Sequence, residues 1–189
     1  MYDATPDPYC YAGTTVLRNR LGLTNQAELD EFEVDAVTQR GTELSPAGRF
    51  TPTHFRAVHR HLFQDVYPWA GRYRTIRISK GASMFCYPEN IAAQLRTLFA
   101  WLAGQDRLSG RNADDFAEAG AHLLSELNAI HAFREGNGRA QMVFFAMLAD
   151  RAGHPLDLTR LEPEPFLDAM IAAFNGDEGA LATQIRSLI

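Results

Sequence analysis

Two apolar stripes with helical spacing meet at a short polar turn, and this junction constrains the chain more than any other feature. Upstream, Phe116, Leu123, Leu127 and Ile130 fall on one helix face and run straight into His131. Residues 131–139 then read His-Ala-Phe-Arg-Glu-Gly-Asn-Gly-Arg. A second helical segment follows at 142–152, with Met142, Phe145, Ala146 and Ala149 as its expected inner face; Gly153 and Pro155 break it. A helix, a glycine-rich turn and another helix are thus expected in sequence, with the polar groups concentrated where the backbone bends.

The remaining segments are also mostly helical. Thr51 and Pro52 read as N-cap and first helical residue, followed by Phe55, Val58, His59, Leu62, Phe63 and Val66 on one face. Pro88 opens a helix striped by Ile91, Leu95, Leu98, Phe99 and Leu102. Shorter helices are expected at 164–174 and 178–188, and an early one at 26–40 capped by Thr24 or Asn25. Residues 72–79 depart from this pattern, alternating polar with aromatic or β-branched side chains. With 82–87 they read as a β-hairpin at about 72–87. The expected fold is therefore all-α with one small β-hairpin flap, in a single domain spanning 1–189.

Composition narrows the function classes. A net charge of −5 argues against a general grip on nucleic acid. Two cysteines, Cys10 and Cys86, make no disulfide framework or metal motif and read as reduced thiols. No stretch is long and apolar enough to span a membrane, and the N-terminus has neither the basic start nor the apolar core of a signal peptide. A cytoplasmic location is the expectation.

The turn carries the chemistry. Gly136 and Gly138 permit positive φ and close backbone approach, and a helix opening there turns free N–H groups toward an anion such as phosphate. With the Asn137 amide they would form an anion nest, and the planar fork of Arg139 suits phosphate oxygens. His131 could take the proton of an attacking hydroxyl, or simply end its helix. Glu135 could hold a divalent cation on the phosphates, or sit as an acid favoured by the helix dipole. Arg134 is either a further phosphate contact or a surface charge. Phe133 reads as a packing anchor, His122 as structural or exposed, and His54, His59 and His61 lack metal-ligand spacing. Together these parts suit phosphoryl or nucleotidyl transfer.

The same residues resemble the Fic motif, H-x-F-x-[DE]-G-N-G-R-x-x-R, at every specified position except the last, where Met142 stands in place of arginine. The stretches Asp7-Pro8-Tyr9, Leu17-Arg18-Asn19, His59 through Asp65 and Trp69-Ala70-Gly71 extend the resemblance to small bacterial Fic toxins over nearly the whole chain. It implies a mainly helical Fic fold and transfer of AMP from Mg²⁺-bound ATP to a Ser, Thr or Tyr hydroxyl of a target protein. His131 would be the base and Glu135 the Mg²⁺ ligand. The hairpin edge could pair with an extended target segment, with Ile76, Ile78, Lys80 and Met84 as contacts, or merely cover the core.

By the same resemblance, the arginine replaced by Met142 would hold the γ-phosphate and receive the glutamate of an inhibitory helix. Its loss leaves three readings: another ATP pose with Arg151 or Arg134 compensating, a donor that has no γ-phosphate, or weak activity. Other nucleotides and phosphocholine stay open as donor groups, and a non-catalytic nucleotide-binding module is the rival from another class. No glutamate sits in the inhibitory context [ST]-x-x-x-E-[GN]; Glu178-Gly179 comes nearest, with Phe174 where Ser or Thr belongs. That implies a separate small antitoxin. Type II topoisomerase subunits are the target class the resemblance suggests.

Overall fold

A computed structural model describes residues 7–80 and 83–189. Among these residues seven α-helices carry the fold: α1 (Gln26–Gly41), α2 (Pro52–Phe63), α3 (Pro88–Gly104), α4 (Ala113–Ile130), α5 (Asn137–Ala152), α6 (Pro163–Phe174) and α7 (Gly179–Leu188). Their starts follow local chemistry. The Asn25 side chain accepts from the amides of Ala27 and Glu28, so Asn25 rather than Thr24 caps α1. Thr51 accepts from the amide of His54 and Pro52 opens α2, while Asn112 accepts from Asp115 at the start of α4.

Helix α4 is the axis of the molecule and packs against α3, α5, α6 and α7. Helix α2 lies on α5 from the other side and carries α1 on its outer face. Between α2, α3 and α5 the core is aromatic. Phe144 is fully buried, with ring centroids 5.4–5.5 Å from those of Phe50, His54, Phe55 and Phe99. Helix α5 is turned slightly from its expected orientation. Ala140, Gln141, Phe144, Phe145, Leu148 and Ala149 face inward, and Met142 is only partly buried. The aromatic pocket made by Phe50, Phe55 and Phe99 draws in Phe144, which the stripe had left outside.

The β-hairpin over 72–87 is not formed. Residues 72–78 lie in no strand, and among the described residues of this segment strand pairing is limited to Ser79–Lys80 against Ser83–Met84, with one further bond from Phe85 N to Ile78 O. The reason is Arg74, whose buried side chain and main-chain amide both bond to the C-terminal end of α4. The segment is thereby pinned to a helix end rather than to a partner strand. The fold is all-α.

Phe144→Ala should destabilise the protein by about 3–5 kcal/mol, because four rigid rings cannot collapse into the space it vacates. Chemical denaturation of the purified variant measures this loss.

Candidate active site

His131 is the C-cap of α4, in the left-handed conformation with φ 47° and ψ 62°. Its amide donates to Leu127 O, closing the helix, and its carbonyl accepts from Arg74 Nε at 2.7 Å. The imidazole is partly exposed and stacks on Phe85, with centroids 3.9 Å apart and planes 19° from parallel. Non-glycine residues seldom adopt this backbone conformation, and it persists where neighbours over-determine it. Here the turn redirects the chain abruptly from α4 into the loop before α5.

That loop is held from below by a histidine. His59 is 0% exposed on α2, stacked between Phe63 and Phe133 at centroid distances of 4.7 and 3.8 Å. Its Nδ1 accepts from the amide of Gly71 at 2.9 Å, so Nε2 carries the proton and donates to the Glu135 carbonyl at 2.9 Å. Burial lowers its pKa to about 4, so the ring is neutral at ordinary pH. Phe133 is fully buried, and its N–H and C=O are bridged by the side chain of Asn137 at 2.9 and 2.8 Å. Asn137 therefore braces the loop with its amide group. Gly136, at φ 77°, lies against Phe63; a Cβ there would come within 2.2 Å of that ring.

Helix α5 begins at this braced turn. Its first main-chain hydrogen bond runs from Ala140 N to Gly136 O. The amides of Asn137, Gly138 and Arg139 thus precede the helical ladder, at the positive end of the dipole. These three residues line a cleft of about 880 Å³ together with His131, Glu135 and Met142. The far side of the cleft is apolar, built from Leu124, Phe166, Met170 and Phe174. At Gly138 a Cβ would meet nothing within 4 Å, so the backbone there is open to close approach.

The charged residues of the motif divide. Glu135 accepts from the Gly136 amide at 2.8 Å and lies 3.4 Å from Arg139 Nη2. Arg139 also bonds Glu33 of α1 at 2.5 Å, and its guanidinium lies over the ring of Phe63 at 4.8 Å. The other oxygen of Glu33 accepts from the Tyr67 hydroxyl, and burial and Glu33 push that phenol above its usual pKa. Arg134 leaves the cleft and pairs with Asp7 at 2.8 Å. Among the docking residues, Ile76 and Ile78 are partly exposed and Met84 is 58% exposed, on the segment leading to Phe85. The Lys80 side chain lies outside the described residues.

Four residues that hold this site had no part in the chemistry assigned from sequence. Arg74 reads as the polar half of a strand alternation and His59 as one more stripe residue, and nothing in the pattern singles out Glu33 or Tyr67. Only His59 left a trace, as an imidazole on an apolar face. His61, two residues on, points elsewhere and bonds the carbonyl of Arg40.

His59 is neutral when folded and gains a proton near pH 6.5 when unfolded, so its contribution is full above that pH. Stability should fall as pH drops from about 6.5 to about 4, by up to about 3 kcal/mol. His59→Gln removes the titrating ring and should flatten this slope in denaturation curves taken across the same window.

The Fic/DOC family profile matches residues 49–149. A Sinorhizobium fredii protein described as probable protein adenylyltransferase y4lH is 51% identical over 189 residues, covering 100% of this chain and 98% of its own. Escherichia coli Fic, described in the same terms, is 37% identical over 177 residues, covering 93% of this chain and 88% of its own. The crystal structure of the BepC effector of Bartonella tribocorum with bound AMPPNP aligns at a TM-score of 0.86 and 25% identity, covering 95% of each chain. With His131 and the N-terminus of α5 facing one cleft, and with likeness running the length of the chain, this protein belongs to the Fic/DOC family.

Proposed function

We infer that the chain is a protein adenylyltransferase, moving AMP from ATP to a side-chain hydroxyl of a target protein. One observation carries the reading. His131 and the free amides of Asn137, Gly138 and Arg139 line a single cleft, and the chain matches proteins named adenylyltransferase over nearly their full length.

The geometry divides the work. The α5 amides hold the donor's phosphate oxygens and need no reorganisation, because the Asn137 bridge and the Gly136–Phe63 contact have already set the turn. Arg139 adds a charged donor beside them, held by Glu33 on one side and exposed to the cleft on the other. The apolar wall of Leu124, Phe166 and Phe174 suits a flat base. As the target hydroxyl attacks the α-phosphorus, its proton passes to the His131 imidazole. The new oxygen–phosphorus bond forms as the bond to the β-phosphate bridging oxygen breaks, and pyrophosphate leaves.

The donor set fits Mg²⁺. No cluster of three or more His, Cys, Asp or Glu side chains suited to a metal occurs among the described residues. Glu135 offers a single carboxylate beside the phosphate nest, and Mg²⁺ typically binds through one or two carboxylates plus substrate phosphates and water. When bound, the ion would offset phosphate charge.

Met142 favours a second reading of the donor. It lines the cleft one turn beyond Gly138 and offers neither charge nor hydrogen-bond donor. A charge-assisted contact to a terminal phosphate is therefore lacking at this position, which favours weak use of ATP or a donor that needs no such contact. The same residue offers nothing to an inhibitory glutamate, so a small antitoxin would have to block the cleft by shape. Type II topoisomerase subunits stay the proposed target class and the cytoplasm the proposed location. No helix among the described residues is long and apolar enough to cross a membrane.

Incubation with α-labelled ATP and bacterial lysate should label a protein. His131→Ala should lower that labelling by about 10²–10⁴-fold, the usual worth of a positioned base. Label that survives the substitution contradicts the mechanism. Met142→Arg should tighten ATP binding or raise the transfer rate by about tenfold, as one restored charge-assisted contact predicts; an unchanged or slower variant counts against the role given to position 142.

A further inference from the structure

Arg74 is 2% exposed, and no carboxylate pairs with it among the described residues. A guanidinium taken out of water without a counter-ion is costly unless its donors are met. Here they are met by carbonyl oxygens. Nε donates to His131 O at 2.7 Å, Nη1 to Ile76 O at 2.7 Å, and Nη2 to Cys86 O at 2.5 Å and to Ile130 O at 3.2 Å. The main-chain amide of Arg74 adds a bond to Ala132 O at 2.9 Å.

These acceptors lie in two groups. Ile130 O and His131 O stand at the end of α4, where carbonyls lack helical partners and a cation is favoured by the dipole. Ile76 O and Cys86 O belong to the segment that carries Phe85. One planar side chain therefore ties both faces of the His131 environment together. On one face it grips the carbonyl of a residue held at φ 47°. On the other it fixes the residue next to Phe85, whose ring lies flat on the imidazole at 3.9 Å. The Cys86 amide, bonded to Ala129 O at 3.0 Å, closes the same loop onto α4.

We propose that Arg74 is a positioning residue for the transfer step, holding the His131 imidazole against Phe85 in the orientation that receives the hydroxyl proton. The inference rests on the adenylyl-transfer reading of the same cleft. Arg74 touches no substrate. It acts by keeping a strained turn and an aromatic plate in register, and misplacement of a reacting group by about 1 Å can cost about 100-fold in rate. Lysine in its place keeps the charge but concentrates its donors at one point, so it cannot span acceptors on two sides.

The test is the separation of rate from affinity. In Arg74→Lys the transfer rate at saturating ATP should fall about 100-fold, while the ATP dissociation constant by calorimetry stays within about threefold. Arg74→Gln, which keeps an apolar stem and one donor group but cannot reach both groups of carbonyls, should show the same split and decides the matter if the lysine variant fails to fold. An unchanged rate overturns the proposal, and so does an equal loss of rate and affinity, which marks a loop that has merely lost its shape. A wild-type chain that transfers no label, or label that survives His131→Ala, removes the transfer reading itself and this inference with it.

Discussion

The neutral imidazole of His59 is the contact on which the rest of the site depends. Its two nitrogens join three segments: α2, the nearby turn at Gly71 and the loop at Glu135, 76 residues on. A fully buried ring is costly unless both nitrogens find partners, and here each has one, with Phe63 and Phe133 above and below. The bond to Glu135 goes to its carbonyl, so the carboxylate is left to the Gly136 amide and Arg139 at the edge of the cleft. Burial, by holding the ring neutral, keeps the Nδ1 lone pair available to the Gly71 amide. Phe63, stacked on His59, also meets Gly136 and Arg139, so one stack of rings fixes the height of the whole turn.

How much of this could be read from the sequence depends on the range of the interaction involved. Helix starts depend on side chains two or three residues from the amides they serve, so Asn25, Thr51 and Pro88 were legible. The polar turn was legible for the same reason, since His131 through Arg139 are contiguous. Residues 72–78 were misread because alternation reports which side chains differ, not which of them face inward. An arginine in an alternating run normally points to water, and nothing local reveals that Arg74 meets the end of α4 more than fifty residues later. The face of α5 was misjudged by a smaller margin, because Phe144 is called inward by rings from three other segments.

Long-range charge pairing explains the division between the two motif arginines. Arg134 and Arg139 are equally basic and five residues apart, yet Asp7 takes one and Glu33 the other. Asp7 precedes the first helix and Glu33 sits on α1, so the N-terminal part of the chain sorts the motif's charges. The Glu33 carboxylate is 13% exposed and shared with Tyr67, which gives Arg139 a firm base while its guanidinium still reaches the cleft. A phosphate arriving there would add to that arrangement rather than displace it, because a guanidinium has five donors to distribute.

Met142 is the one place where the cleft departs from the chemistry around it. The α5 helix presents amides, then Arg139, then a thioether, so the positive field ends one turn into the helix. A nucleotide's phosphates would therefore be held mainly where α- and β-phosphates meet the turn, with little to order anything beyond. Binding energy from a contact remote from the reacting phosphorus is spent on orienting that centre, so its loss falls on the transfer rate as well as on affinity. On this argument Met142 weakens alignment while leaving His131, the α5 amides and their supports intact.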